Sequence, residues 1–270
     1  MVDAVRHAGE LAYREATPDG EARGVALCLH GYPQSSYMWR ETLARLRDVG
    51  WRAIAPDLPG FGDSPQSSPL TWERAVEAVD RFHADLGLGP VALLVHDWGG
   101  LIGLRWACDR PDAVRALVIS STGFFPDGHW HGLAQAMRTP VQGEELVEGL
   151  TRDGFAAMMA QVSPAMGEEA IDEYWKGFVP PERRSDHLAL YRSGDFSKLE
   201  PYAGRLAALG VPALILWGRE DPFAPVAGAR RFQSELPDAR LELLHDAGHF
   251  IHDDAPAAAA DAAARFLAGL

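Results

Sequence analysis

Val91-Ala-Leu-Leu-Val-His96-Asp97-Trp98-Gly99-Gly100-Leu101-Ile102 decides the fold. The first six residues form a short apolar run, the length of a strand buried on both faces. A helical stretch, Leu101 to Asp109, follows almost at once. Between them lie one acid and two glycines, so the chain turns sharply from strand into helix with Asp97 at the apex. Asp is a favoured helix N-cap, which is the structural alternative for this residue.

The same rhythm recurs outward from this turn. Val25–His30 and Arg52–Asp57 lie upstream, and Val114–Ile119, Ala213–Trp217 and Arg240–Leu244 lie downstream. Helical segments such as Tyr37 to Val49 separate them. Strand, helix, strand repeated in this way predicts a doubly wound α/β fold with a mostly parallel central sheet flanked by helices. Residues 4–16 read as a leading antiparallel hairpin. From 124 to 206 the rhythm stops: apolar residues are spaced for helices (Phe155, Met158, Met159, Val162), and Trp130, Tyr174, Trp175, Phe178 and Tyr191 make the stretch aromatic. This predicts a helical cap over residues 124–206, inserted after the sixth strand into a core domain of residues 1–123 and 207–270. The alternative is a set of extra packing helices. Ala255 to Leu270 reads as a terminal helix.

Bulk properties narrow the function. The chain has 270 residues and a net charge of −13, which disfavours nucleic acid and anionic membrane as partners. No apolar run reaches bilayer length, and the start, Met1-Val-Asp-Ala-Val-Arg, lacks the apolar core of a secretory signal. Cys28 and Cys108 cannot form a disulfide framework, so they read as core thiols of a cytoplasmic protein. Neither a metal nor another cofactor is expected, and oligomeric state is left open.

Three further segments join Asp97. In serine hydrolases the strand-to-helix turn reads G-x-S-x-G; here Asp97 holds the nucleophile's place and Gly99 the downstream small position. His30-Gly31-Tyr32-Pro33 follows the earlier strand, so the amides of Tyr32 and Trp98 can form an oxyanion hole. His30 itself reads as structural. Trp217-Gly218-Arg219-Glu220-Asp221-Pro222 offers Asp221 as the acid that orients a histidine, with Glu220 as local competitor. The other place for such an acid, after the sixth strand, holds Ser120-Ser121-Thr122 and no carboxylate before Asp127. His249 in Asp246-Ala-Gly-His249-Phe250 is the base candidate. His83, His187, His245 and His252 read as surface or satisfied core residues. Nucleophile, acid and base then run in the order Asp97, Asp221, His249.

With these residues the chain resembles the aspartate-nucleophile branch of the α/β-hydrolase superfamily, which contains haloalkane dehalogenases, epoxide hydrolases and fluoroacetate dehalogenases. Ser35–Arg40, Asp97–Arg105 and Gly248–Pro256 look most like haloalkane dehalogenases. Tyr32 within H-G-Y-P, and Leu190-Tyr191-Arg192, lean toward epoxide hydrolases; there Tyr191 looks like the tyrosine that donates to an epoxide oxygen. Two departures matter. Many haloalkane dehalogenases carry an asparagine where Tyr32 stands, and others a cap tryptophan with which neither Trp130 nor Trp175 aligns. Fluoroacetate dehalogenases carry arginine where Trp98 stands, so that substrate is disfavoured.

The residue type at 97 selects chemistry. A carboxylate that displaces a leaving group from saturated carbon forms an ester that water can cleave; a serine would form an ether. The resemblance implies hydrolytic dehalogenation of a small, mostly apolar haloalkane with water as the second reactant. Epoxide hydrolysis to a diol is the alternative, and a non-catalytic ligand-binding relative the third reading. Trp98 and Tyr191 are the candidate donors to a leaving group, and Tyr174, His129, Trp130 and Trp175 are further cap candidates. An epoxide oxygen needs a pair of donors, so Tyr174 or a cap histidine, His129 or His131, would have to join Tyr191.

Overall fold

The computed structural model describes residues 4–270. Residues 1–3 of the stretch read for a missing signal lie outside the described residues. Among the described residues eight strands form one sheet: β1 (Arg6–Ala8), β2 (Leu11–Ala16), β3 (Val25–Leu29), β4 (Arg52–Pro56), β5 (Val91–His96), β6 (Val114–Ser120), β7 (Ala213–Gly218) and β8 (Arg240–Leu244). Their order across the sheet is β1-β2-β4-β3-β5-β6-β7-β8. Pairing is antiparallel at β1–β2 and β2–β4 and parallel from β4 through to β8. The leading hairpin is therefore present, and every strand that the apolar runs predict is found within one or two residues.

Those runs are apolar because the central strands are covered twice. All six residues of β5 are buried, as are all six of β7. One face of the sheet carries α2 (Trp72–Asp85), α3 (Trp98–Asp109) and α10 (Val226–Glu235). The other carries α1 (Arg40–Asp48), α11 (Ile251–Asp254) and α12 (Pro256–Ala268). Cys28 and Cys108 are free thiols, both buried.

Between β6 and β7 only helices form: α4 (Gly132–Arg138), α5 (Gln142–Glu148), α6 (Arg152–Val162), α7 (Glu168–Trp175), α8 (Pro181–Ser193) and α9 (Arg205–Ala208), with short 3-10 turns. This insertion is pinned to the core by buried and part-buried polar contacts rather than by apolar packing alone. Asp186 on α8 accepts from the Ser68 hydroxyl and the Leu70 N–H. Arg183 donates to the Gly62 and Ser64 carbonyls. Among the described residues no helix is long and apolar enough to cross a membrane.

Candidate active site

Asp97 sits between β5 and α3 with φ 48° and ψ −121°, a region that non-glycine residues rarely occupy. Such a conformation costs on the order of 1–3 kcal/mol and persists only where its surroundings enforce it. Here the surroundings are specific. A Cβ on Gly99 would lie 2.2 Å from the Leu29 carbonyl oxygen, and one on Gly31 would lie 2.4 Å from the Asp97 Cβ. Only glycines let the start of α3 and the end of β3 come this close. The Thr122 hydroxyl donates to the Asp97 carbonyl at 2.6 Å, tying the turn to the strand end beside it.

The turn projects the Asp97 carboxylate toward two other strand ends. Its Oδ1 accepts the Tyr32 N–H at 2.7 Å. Its Oδ2 faces His249 Nε2 at 3.6 Å. Trp98 opens α3, so its N–H has no partner within that helix. On the far side, His249 Nδ1 lies 2.9 Å from Asp221 Oδ2 and 3.0 Å from Oδ1. Asp221 is in turn fixed by the N–H groups of Phe223 and Ala224, each donating to Oδ1 at 2.8 Å. The acid and base loops meet because Gly218 lets them: a Cβ there would stand 1.8 Å from the Gly248 carbonyl oxygen. Glu220 is exposed, and Asp127, also exposed, pairs with Arg231 at 2.6 Å. Asp221 is the carboxylate that reaches His249.

The electrostatics follow the geometry. Burial alone would depress the pKa of His249, but Asp221 and then Asp97 outweigh it and hold the imidazole at about 10. Burial pushes Asp221 up, while His249 and the two backbone N–H groups bring it below its ordinary value. The result is an imidazolium between two carboxylates. His30 is fully buried and kept neutral by burial, its pKa lowered to about 4. Its Nε2 accepts from Leu58 N–H, and it is spent on structure.

Two cavities meet at Asp97 and His249. The smaller, about 190 Å³, is walled by Tyr32, Met158, Met159, Val162, Tyr191 and Phe250. The larger, about 460 Å³, is walled by Ser121, Thr122, His129, Trp130, Phe196 and Arg231 among others. His131 and Phe223 border both. Tyr191 is buried, its ring edge-on to Tyr32 at 5.0 Å and to Trp98 at 5.4 Å. Burial first, then the charge on Asp97, drives its phenol pKa well above the ordinary value. Tyr191 therefore stays protonated as a donor. The Trp98 indole N–H is buried, has the Tyr191 hydroxyl as its polar neighbour and makes no hydrogen bond of good geometry; its ring stacks on Trp130 at 5.3 Å.

The remaining cap candidates divide. His129 and Trp130 reach the wall of the larger cavity, but the Trp130 N–H is already committed to the Gly194 carbonyl at 3.2 Å. Tyr174 does not come to Asp97: its hydroxyl donates to Asp253 at 2.8 Å in a buried network with Gln34 and Arg40. Trp175 does not either, being stacked on Phe178 at 5.5 Å. His187 is a core residue: it is buried, with the Gly177 backbone against its ring. It lies flat on Phe61 at 4.9 Å and burial holds its pKa down to about 3, so it packs as a neutral aromatic ring.

Two parts of the site carry no motif. Phe223 packs edge-on to His249 at 5.2 Å; only its place two residues after Asp221 points to it. Ser121 has φ 44° and a buried hydroxyl without a partner.

Comparison with known proteins fits this arrangement. A family model described as alpha/beta hydrolase fold matches residues 25–256. The chain is 31% identical to a cis-3-alkyl-4-alkyloxetan-2-one decarboxylase of Xanthomonas campestris pv. campestris, covering 93% of this chain and 89% of that protein. It is 30% identical to haloalkane dehalogenase 2 of Mycobacterium tuberculosis, covering 88% of this chain and 85% of the relative. Among solved structures, a loop variant of the haloalkane dehalogenase DbeA from Bradyrhizobium elkanii superposes with a TM-score of 0.82 at 27% identity, covering 98% of this chain and 96% of that one.

Proposed function

The chain belongs to the alpha/beta hydrolase fold family, and from that premise we propose that it opens a small apolar electrophile at saturated carbon through a covalent alkyl ester on Asp97. The observation that carries this reading is the placement of Asp97: a carboxylate at a strained apex, one oxygen held by the Tyr32 N–H and the other facing His249. Helices α4–α8, within residues 124–206, serve as the cap that closes over it, and α9 crosses its boundary.

Oδ2 attacks the electrophilic carbon, a C–O bond forms, and the leaving atom departs with the electron pair. Esterification removes the charge of Asp97, one of the two carboxylates that keep His249 protonated. His249 then gives its proton to solvent, or to the oxygen of an opened epoxide, and the neutral imidazole serves as base for water. Water adds to the Asp97 Cγ, and the charge that develops on Oδ1 is met by the Tyr32 and Trp98 amides. Collapse expels the alcohol, which takes up the proton from His249. Asp221 holds the imidazole ring and stabilises its charged form.

Hydrolytic dehalogenation of a small haloalkane is the first substrate reading. A halide ion accepts hydrogen bonds and donates none, and the buried Trp98 N–H, with the Tyr191 hydroxyl as neighbour, is held by no hydrogen bond of good geometry. A donor held this loosely can turn from the Tyr191 hydroxyl to a halide. Kinship with haloalkane dehalogenases supports the same reading. Epoxide opening to a diol is the second. It is favoured by a specific observation: the buried, protonated Tyr191 phenol lines the smaller cavity with Asp97, whereas Trp98 is not among the residues of its wall.

The mechanism is tested with His249→Gln. Intact mass spectrometry after exposure to 1-bromobutane or styrene oxide is expected to show an alkyl adduct that peptide mapping places on Asp97. Absence of any adduct with a substrate that the wild type consumes would overturn the reading. Halide release across a 1-halobutane series, against diol formation from styrene oxide, decides the leaving atom.

A further inference from the structure

We propose that His131 is a specificity residue whose Nε2–H receives an acceptor oxygen on the substrate, beyond the reacting carbon. The inference rests on Asp97 being the attacking group. The preferred substrate is then a small electrophile that is apolar except for one ether, carbonyl or hydroxyl oxygen.

His131 is the N-cap of α4, and its Nδ1 accepts the Ala134 N–H at 3.3 Å. A nitrogen that accepts cannot carry the proton, so the neutral ring holds its hydrogen on Nε2. Burial lowers the pKa of His131 below its ordinary value, with Asp97 pulling the other way. The ring is therefore neutral near pH 7, and the tautomer is set by the cap. Among the described residues no acceptor meets Nε2, and the atom is not sealed from solvent space. His131 borders both cavities that contain Asp97 and His249.

The two sides of the site assign this donor. One side is Tyr32, Tyr191, Trp98 and Trp130, linked by ring contacts of 5.0 to 5.8 Å. The other is His249, Phe223 and His131, with Phe223 5.2 Å from His249 and 4.9 Å from His131. Departing charge belongs with the donors Tyr191 and Trp98, and water belongs with the base His249. A donor on the water side would weaken the attacking water if it bonded to that water's lone pair, because general-base activation raises electron density there. The remaining partner is an acceptor on the part of the substrate that does not leave. Polar groups of this kind, few in number within an apolar pocket, fix orientation and set specificity.

The test compares two nearly isosteric pairs: 1-bromobutane with 2-bromoethyl methyl ether, and 1,2-epoxypentane with glycidyl methyl ether. In wild type the ether of the consumed pair is expected to have a kcat/KM about five- to tenfold higher, the worth of one hydrogen bond, expressed mainly in KM. His131→Phe, which keeps the aromatic volume beside Phe223, brings the ratio to about one. His131→Asn, which can still accept the Ala134 N–H, does the same if the fold is retained. The dissociation constants of the same pairs for Asp97→Asn, followed by tryptophan fluorescence, read the contact without chemistry and are expected to show the ratio with His131 present and lose it with His131→Phe. A ratio unchanged by both His131 substitutions overturns the assignment. Loss of the Asp97 adduct with a persistent binding ratio overturns the mechanism and leaves the role of His131 standing.

Discussion

Asp97 Oδ2 and His249 Nε2 face one another at 3.6 Å, longer than a good hydrogen bond, while His249 Nδ1 is bound to Asp221 at 2.9 Å. The imidazole is thus anchored by the acid and only approached by the nucleophile. On the proposed mechanism this asymmetry suits a residue that stays in place when Asp97 becomes an ester and then turns its free nitrogen to water.

Replacing Asp97 with Asn removes one of the charges that hold His249 at about 10. The His249 ring proton resonances, followed by NMR titration, are expected to move to a lower midpoint in Asp97→Asn than in wild type. An unchanged midpoint would mean that Asp221 alone sets the charge of the histidine.

The same pair makes stability depend on pH. Folded His249 has a pKa raised above the ordinary 6.5. Its contribution is therefore fully present below pH 6.5 and is lost as pH rises through about 10. Urea denaturation is expected to show wild type losing stability relative to His249→Gln between those limits, by on the order of a few kcal/mol. A difference between the two proteins that stays constant across this window would contradict the charge assignment.

Asp221→Asn keeps the shape of the acid and removes its charge. Phe223 and Ala224 donate to Oδ1, so that oxygen can be retained while the amide nitrogen is turned to His249 Nδ1. The ring then loses its preferred tautomer, and kcat is expected to fall by about 10⁴, with folding measured by thermal melting little changed. Full activity in this variant would remove Asp221 from the mechanism.

Much of this was legible in the sequence, and what was not has a physical reason. Strands such as β5 and β7 stand out because burial on both faces demands continuous apolar runs. Asp97, Asp221 and His249 stand out because each follows a strand end, where topology alone brings distant segments together. The cap is different. Tyr174 and Tyr191 are both aromatic residues on insertion helices, and composition does not say that one hydroxyl is spent on Asp253 while the other residue lines the cavity at Asp97. The same holds for Trp130, whose N–H is claimed by a carbonyl 64 residues away in sequence. Such partners are fixed by how the helices pack on the core, and no local pattern encodes that.

Gly99→Ala and Gly103→Ala separate backbone from side-chain crowding. The added Cβ at Gly99 meets backbone oxygens of Leu29 and His30 at 2.2 and 2.5 Å, whereas at Gly103 it meets methyl groups of Leu29 and Val95 at 2.8 Å. Methyl groups can change rotamer; strand carbonyls cannot move without disturbing the sheet. Gly99→Ala is expected to cost about 3 kcal/mol or more and to abolish activity by displacing Asp97, with Gly103→Ala costing about 1–2 kcal/mol. Urea midpoints and turnover measured together check both.

Tyr191→Phe bears most directly on the leaving atom. The substitution keeps the ring contacts with Tyr32 and Trp98 and removes only the hydroxyl. A halide leaves as a stable anion and needs only solvation, so losing one of two donors is expected to slow halide release about five- to tenfold. An opening epoxide develops an alkoxide that must be protonated, so losing the phenol is expected to cost about 10²–10⁴ in kcat for diol formation. Trp98→Phe is expected to show the opposite order, with the larger loss for halide. Stopped-flow measurement of both reactions in both variants distinguishes the two. If neither substitution slows either reaction more than twofold, the leaving-group site lies elsewhere on the wall around Asp97.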